Sequence, residues 1–208
     1  LTTSYGKNSK TKFGYDSNFG DQKQYNIGIY TESSEGISVY PQGTENDGYD
    51  LLSYNIGYRG SINETNYELI YINTEQDTDL DSSGADDLDY TGNTKFNFIQ
   101  LNSNTDTKFG KINLIIDSNQ WERDYVNGSE IDTYDSSTNH IKIVDIFKHL
   151  KLINSGGIDF YNYAAKFNNT GTYNSSVDKK AYQIGFFNNT DYKTSKNVIL
   201  SGGIRIDD

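Results

Sequence analysis

The residues best suited to chemistry in this chain are oxygen donors crowded into two polar stretches. One reads Glu75-Gln-Asp77-Thr-Asp79-Leu-Asp81-Ser-Ser-Gly84-Ala-Asp86-Asp87-Leu-Asp89-Tyr90, and the other, upstream, reads Gly43-Thr-Glu45-Asn-Asp47-Gly48-Tyr-Asp50. Carboxylates at this density suit a hard cation such as Ca2+, which takes about 6–8 oxygens from carboxylates and backbone carbonyls. Asp77, Asp79 and Asp81 share the spacing that opens an EF-hand. Ser82 replaces the glycine that motif requires, however, and Leu88 stands where its bidentate Glu belongs, so the motif is rejected. The competing reading is an acidic loop that stays solvated and repels itself.

A second group follows Asp117: Trp121, Arg123, Tyr125 and Tyr134. Three rings with one guanidinium can cap a flat, amphipathic ligand by stacking and cation–π contact. Residues at a membrane interface would account for Trp121 equally well. Nothing comparable points to catalysis. His140 and His149 are the two histidines, one at a strand start and one in a short turn, and no residue is placed as a nucleophile. No phosphate-binding glycine motif occurs, and the absence of Cys rules out disulfides and thiolate metal sites. The chain reads as a non-enzyme. Its net charge of -11 offers no basic stripe to a nucleic acid.

The elements that must position these groups are strands. Only 34% of the residues are hydrophobic, which alone would suggest weak burial. Disorder is contradicted by 14% aromatic residues, including 18 Tyr and 10 Phe, and by a single Pro. Alternating polarity predicts strands over Leu1–Gly6, Lys10–Phe19, Gln24–Glu32, Asp50–Arg59, Tyr67–Thr74, Thr94–Asn102, Lys111–Asp117, His140–Phe147, Leu152–Phe167, Ala181–Asn189 and Asn197–Asp207. Tyr54, Ile56 and Tyr58 oppose Asn55, Gly57 and Arg59, and Val198, Leu200, Ile204 and Ile206 oppose Ser201, Arg205 and Asp207. No apolar run is long enough for a transmembrane helix.

The connections alternate between short links and the long ones Ser33–Tyr49, Glu75–Asn93, Ser118–Asn139 and Asn168–Lys180. In an up-and-down sheet this puts short turns at one end and long loops at the other, as in outer-membrane barrels. The expected fold is therefore all-β, an antiparallel up-and-down transmembrane β-barrel with lipid on its apolar face and water on the other. Arg59, Asp159 and Arg205 are expected on the wet side. A soluble β-sandwich or adhesin-like domain is the alternative.

The run Tyr25–Tyr58, with Glu35-Gly-Ile-Ser-Val-Tyr40, Glu45-Asn-Asp47-Gly48-Tyr49 and Asn55-Ile-Gly-Tyr58, resembles the barrel of TonB-dependent outer-membrane receptors, nearest to their cobalamin-transporting members. The opening Ser4-Tyr-Gly-Lys-Asn-Ser resembles a first strand after a plug domain, and Gly202-Gly-Ile-Arg-Ile-Asp-Asp208 resembles a mid-barrel strand. The resemblance implies that residues 1–208 are the N-terminal half of a barrel of about 22 strands, about 11 of them here, with plug and C-terminal half outside the chain. It implies an outer membrane of a Gram-negative bacterium and uptake of a scarce small-molecule nutrient, a corrinoid or an iron-siderophore or haem. The implied partners are membrane lipid and lipopolysaccharide, the TonB complex acting on the plug, and the rest of the barrel. A passive porin is the alternative transporter. It also implies Ca2+ between extracellular loops, with Glu45, Asp47, Glu75 and Asp86 as ligands and Asp77 and Asp89 beside them; no other cofactor is expected. Tyr40, Tyr90, Trp121, Arg123 and Tyr125 are the candidate substrate contacts.

Overall fold

The computed structural model describes residues 2–5, 11–20, 23–37, 46–81, 87–171, 174–195 and 198–208. All the regular structure described is β-strand: β1 (Thr2–Tyr5), β2 (Thr11–Phe19), β3 (Gln24–Ser34), β4 (Tyr49–Ile62), β5 (Thr65–Asp79), β6 (Tyr90–Thr107), β7 (Gly110–Asn127), β8 (Glu130–His149), β9 (Leu152–Asn169), β10 (Ser175–Lys193) and β11 (Ile199–Asp207). Each strand pairs antiparallel with the next in sequence, so one up-and-down sheet runs in order from β1 to β11.

The register turns the alternation of single strands into continuous rows. Tyr25, Tyr58, Leu69, Leu101, Ile116, Ile141, Phe160 and Ile184 lie side by side from β3 to β10, an unbroken apolar line across the sheet. On the same face Ile27, Ile56, Tyr71 and Ile99 form the row above, and Leu114, Ile143, Ile158, Phe186 and Ile206 the row below. These side chains are open: Ile27, Ile56, Leu69, Ile99, Ile116, Ile141, Ile143, Ile158 and Phe186 are each between 40% and 52% exposed. No hydrophobic residue is buried among the described residues. A soluble sandwich would cover such a face with a second sheet, and none stands here. The apolar band faces lipid, and Ile27, Ile29, Tyr54 and Ile56 lie in it.

β4 to β10 are longer than the sequence predicted, chiefly at one end of the sheet, where β7 and β8 extend furthest; β6 and β10 also lengthen at the other end. β8 has 20 residues, about 65 Å at the rise of an extended chain, against an apolar band about 25 Å tall. The upper halves of β5–β10 therefore stand clear of the band. Ser118–Asn139, predicted as a loop, is instead paired strand from Ser118↔Asn139 to Asn127↔Glu130, closed by Gly128-Ser129 with Gly128 at φ 57°. The ends of Glu75–Asn93 and Asn168–Lys180 are likewise strand.

The physical reason is an inversion of polarity along each strand. In the band the outward residues are apolar, while the inward ones mix polar and charged groups such as Asp117, His140 and Asp159 with Ile70, Ile72 and Ile115. Above it the outward row is Glu75, Lys95, Glu122, Asp135, Lys166 and Asp178, while the inward positions carry rings. Alternation continues with its phase reversed, because the outer side now meets water. A reading that follows one apolar face stops where that face ends.

Candidate ligand-binding wall

Trp121, Arg123 and Tyr125 occupy alternate positions of β7, so all three stand on the inner face, opposite Gln120, Glu122 and Asp124. Cross-strand pairing brings further rings to them. Phe96 of β6 lies opposite Trp121, with ring centroids 4.5 Å apart, and the Arg123 guanidinium lies over the Trp121 ring at 5.4 Å. Tyr125 meets Tyr134 of β8 edge-on at 6.0 Å, and Tyr134 tilts against Phe167 of β9 at 4.6 Å. Four strands thus contribute one aromatic lattice to the inner wall, above the level of the lipid-facing band. Tyr90 belongs to the same face of β6, two positions beyond Gly92 and Tyr125. The structure therefore brings together four of the five predicted substrate contacts; Tyr40 lies outside the described residues.

Below this lattice the inner wall is charged. Asp159, only 1% exposed, receives a hydrogen bond from Arg205 Nη1 at 2.7 Å and faces Lys142 Nζ at 3.5 Å. His140 stands between two carboxylates, Nδ1 at 2.8 Å from Asp117 and Nε2 at 3.4 Å from Asp159, and stacks on Tyr161 at 4.2 Å. Arg205 also reaches Asp207 at 2.7 Å. The belt crosses from β7 to β11, and it passes over β10 only because position 185 is glycine: a Cβ there would meet Arg205 Nη2 at 2.6 Å. Arg59 pairs with Glu68 on the same side of the sheet. Sequence reasoning placed Arg59, Asp159 and Arg205 on this wall. It missed His140 as their partner, because the order of residues does not reveal the register in which neighbouring strands pair.

The predicted cation ligands are scattered. Glu75 is on the outer face, 3.0 Å from Lys95 Nζ, and Asp77 accepts a hydrogen bond from Asn93 Nδ2 at 2.6 Å. Asp47 lies at the β3–β4 tip, where its carbonyl crowds Gly36. Asp89 lies at the β5–β6 tip, where its hydrogen bond with Asp87 pushes its pKa above the usual 3.8. Glu45 and Asp86 lie outside the described residues. Among the described residues no three acids or histidines converge as a metal site.

No protein-family model and no curated protein matches the chain. Solved structures do. The copper transporter OprC superposes with a TM-score of 0.74 at 12% identity, over 97% of this chain and 35% of that one. The ferric-catecholate import receptor Fiu of E. coli K12, in its open form, gives 0.74 at 11% identity, over 99% and 43%. The ferric yersiniabactin uptake receptor FyuA of Yersinia pestis gives 0.67 at 14%, over 95% and 36%. The chain thus spans between a third and a half of the length of these proteins. Its fold is an eleven-stranded, antiparallel up-and-down portion of a transmembrane β-barrel wall of the kind these transport and import receptors share.

Proposed function

We propose that the chain forms part of the barrel of a TonB-dependent outer-membrane receptor of a Gram-negative bacterium, and that the receptor takes up a scarce nutrient as a small metal chelate. The observation that carries this reading is the aromatic lattice around Trp121 on the inner wall above the membrane. A non-selective diffusion pore has no need of ring faces at its mouth, whereas a receptor that must capture a dilute ligand does. Stacked rings supply contact area at a low cost in side-chain entropy. The transport and import receptors with the same fold, whose names give copper or ferric chelates as cargo, favour an iron or copper cargo over the corrinoid that the sequence resemblance put first.

In this reading β1 and β11 pair with further strands of the same barrel, since an open sheet edge in lipid leaves backbone groups unpaired. The charged belt around Asp159 faces the lumen, where a plug coupled to TonB would sit. The test is uptake of iron-loaded siderophores by cells that depend on the intact protein. Receptor function requires uptake that stops when TonB is deleted or the proton gradient is collapsed. Uptake indifferent to both would identify a passive porin.

A further inference from the structure

The aromatic lattice has a gap of defined size. On the inner face of β9 the outward-leading series is Tyr161, Tyr163, Ala165, Phe167. Tyr161 and Tyr163 stack nearly parallel, centroids 5.7 Å apart at 4°, and Phe167 continues into Tyr134. Ala165 breaks the column. Its neighbour across β8 is Ser136, equally small, and both are exposed. Beyond Ser136 in the same row stands Trp121, and on the other side of Ala165 stands Lys179. Tyr163 and Phe167 are four residues apart on an extended strand, so their levels differ by about 13 Å. Two successive ring-to-ring spacings of about 4.5–7 Å fill that interval.

The charges at the gap are of one sign. Arg123, one row above, and Lys179, beside it, have no ion pair among the described residues, whereas Arg59 and Arg205 are both paired with carboxylates. The carboxylate nearest on the inner rows above, Asp132, is engaged by Asn169 Nδ2. We infer that the notch at Ser136 and Ala165 is a subsite for one planar aryl ring bearing an anionic oxygen, a carboxylate or phenolate, seated between Tyr163 and Phe167 and against Trp121. This inference rests on the receptor reading above and adds to it the chemical class of the group recognised.

The test uses the intact receptor in detergent and three small probes: 2,3-dihydroxybenzoate, cyclohexanecarboxylate, which lacks the ring, and benzylamine, which reverses the charge. The expected result is that 2,3-dihydroxybenzoate binds best, followed by saturation-transfer NMR. Ala165→Leu, which fills the notch, should weaken it about five- to tenfold, as befits the loss of a stacked ring. Lys179→Gln should weaken it less and leave the ring preference intact, and Ala165→Ser should bind as the native protein does. Equal binding of all three probes, or native affinity in a folded Ala165→Leu protein, overturns the subsite. If Ala165→Leu does not fold, the probe series and Lys179→Gln decide alone. Energy-dependent uptake of an iron chelate by the native receptor is measured in parallel. A wrong subsite leaves that uptake unchanged, whereas a wrong receptor reading abolishes its energy dependence.

Discussion

Ile143 and Ser137 stand on the same outer face of β8, about 20 Å apart along the strand. Ile143 lies between Leu114 and Ile158 in the lipid-facing band, 47% exposed; Ser137 lies between Gln120 and Ala164, above it. The two positions meet different solvents, lipid at Ile143 and water at Ser137, and arginine substitution reads the difference. Ile143→Arg places a charge in the hydrocarbon layer, at a cost of about 2–4 kcal/mol near mid-depth and less toward the interface. Ser137→Arg adds a charge to a surface already lined by Glu122, Asp135 and Lys166, and surface changes of that kind stay within about 0.5 kcal/mol. The contrast of at least about 1.5 kcal/mol is more than tenfold in the folded-to-unfolded ratio. Reversible urea unfolding of the intact barrel in phospholipid, with each variant measured against the native protein, resolves it. Equal costs at the two positions, or a larger one at Ser137, would refute the assignment of lipid below and water above.

Other consequences are local. Leu150, 95% exposed, turns the β8–β9 hairpin at φ 51°, a conformation that costs a side chain about 1 kcal/mol, so Leu150→Gly should stabilise the barrel by about that amount in the same unfolding assay. Gly185→Val should push Arg205 off Asp159 and leave that buried carboxylate with Lys142 and His140 alone; a loss of about 1–3 kcal/mol is expected, the range for an interrupted charged hydrogen bond, and Arg205→Gln in the Gly185→Val background should then add little. At the β5–β6 tip the raised Asp89 pKa means that the folded tip holds its proton more tightly than the unfolded chain does. The associated stability is present below the ordinary carboxylate pKa and is lost as pH rises through the raised one, so tip amides should exchange faster near neutrality than at acid pH after correction for intrinsic rates, and Asp89→Asn should remove that difference.

Most of the fold was legible because the apolar face repeats with period two from Tyr25 to Ile206, and the wet face never interrupts it with a helical pattern. Strand order followed as well, since short links such as Asn63-Glu64 and Leu150-Lys151 force neighbours in sequence to be neighbours in the sheet. What the sequence concealed was strand length. Beyond Asp117 the residues facing out become Ser118, Gln120, Glu122 and Asp124, and their polarity resembles a loop. The rings of Trp121 and Tyr125 alternate with them, and that reversed phase is the signal that could have extended β7. The aromatic candidates, Tyr134 among them, were found by residue type, and the register then showed that Phe96 and Phe167 belong with them. The His140 belt was hidden because its members come from separate strands. The acidic stretches suggested a cation site by density; Glu75 and Asp77 stand on one face of β5, engaged by Lys95 and Asn93, while Glu45 and Asp86 lie outside the described residues.

We propose that the inner wall above the membrane holds the cargo. Calorimetric titration of the intact, detergent-solubilised protein with a ferric aryl chelate tests this most directly, comparing the native protein with Trp121→Ala. Trp121 supports both Phe96 and Arg123, and removal of a ring at the centre of a binding surface costs about 1–3 kcal/mol. The account predicts native binding and a loss of roughly tenfold or more in the variant, with the barrel still folded. Undiminished affinity in Trp121→Ala would contradict it.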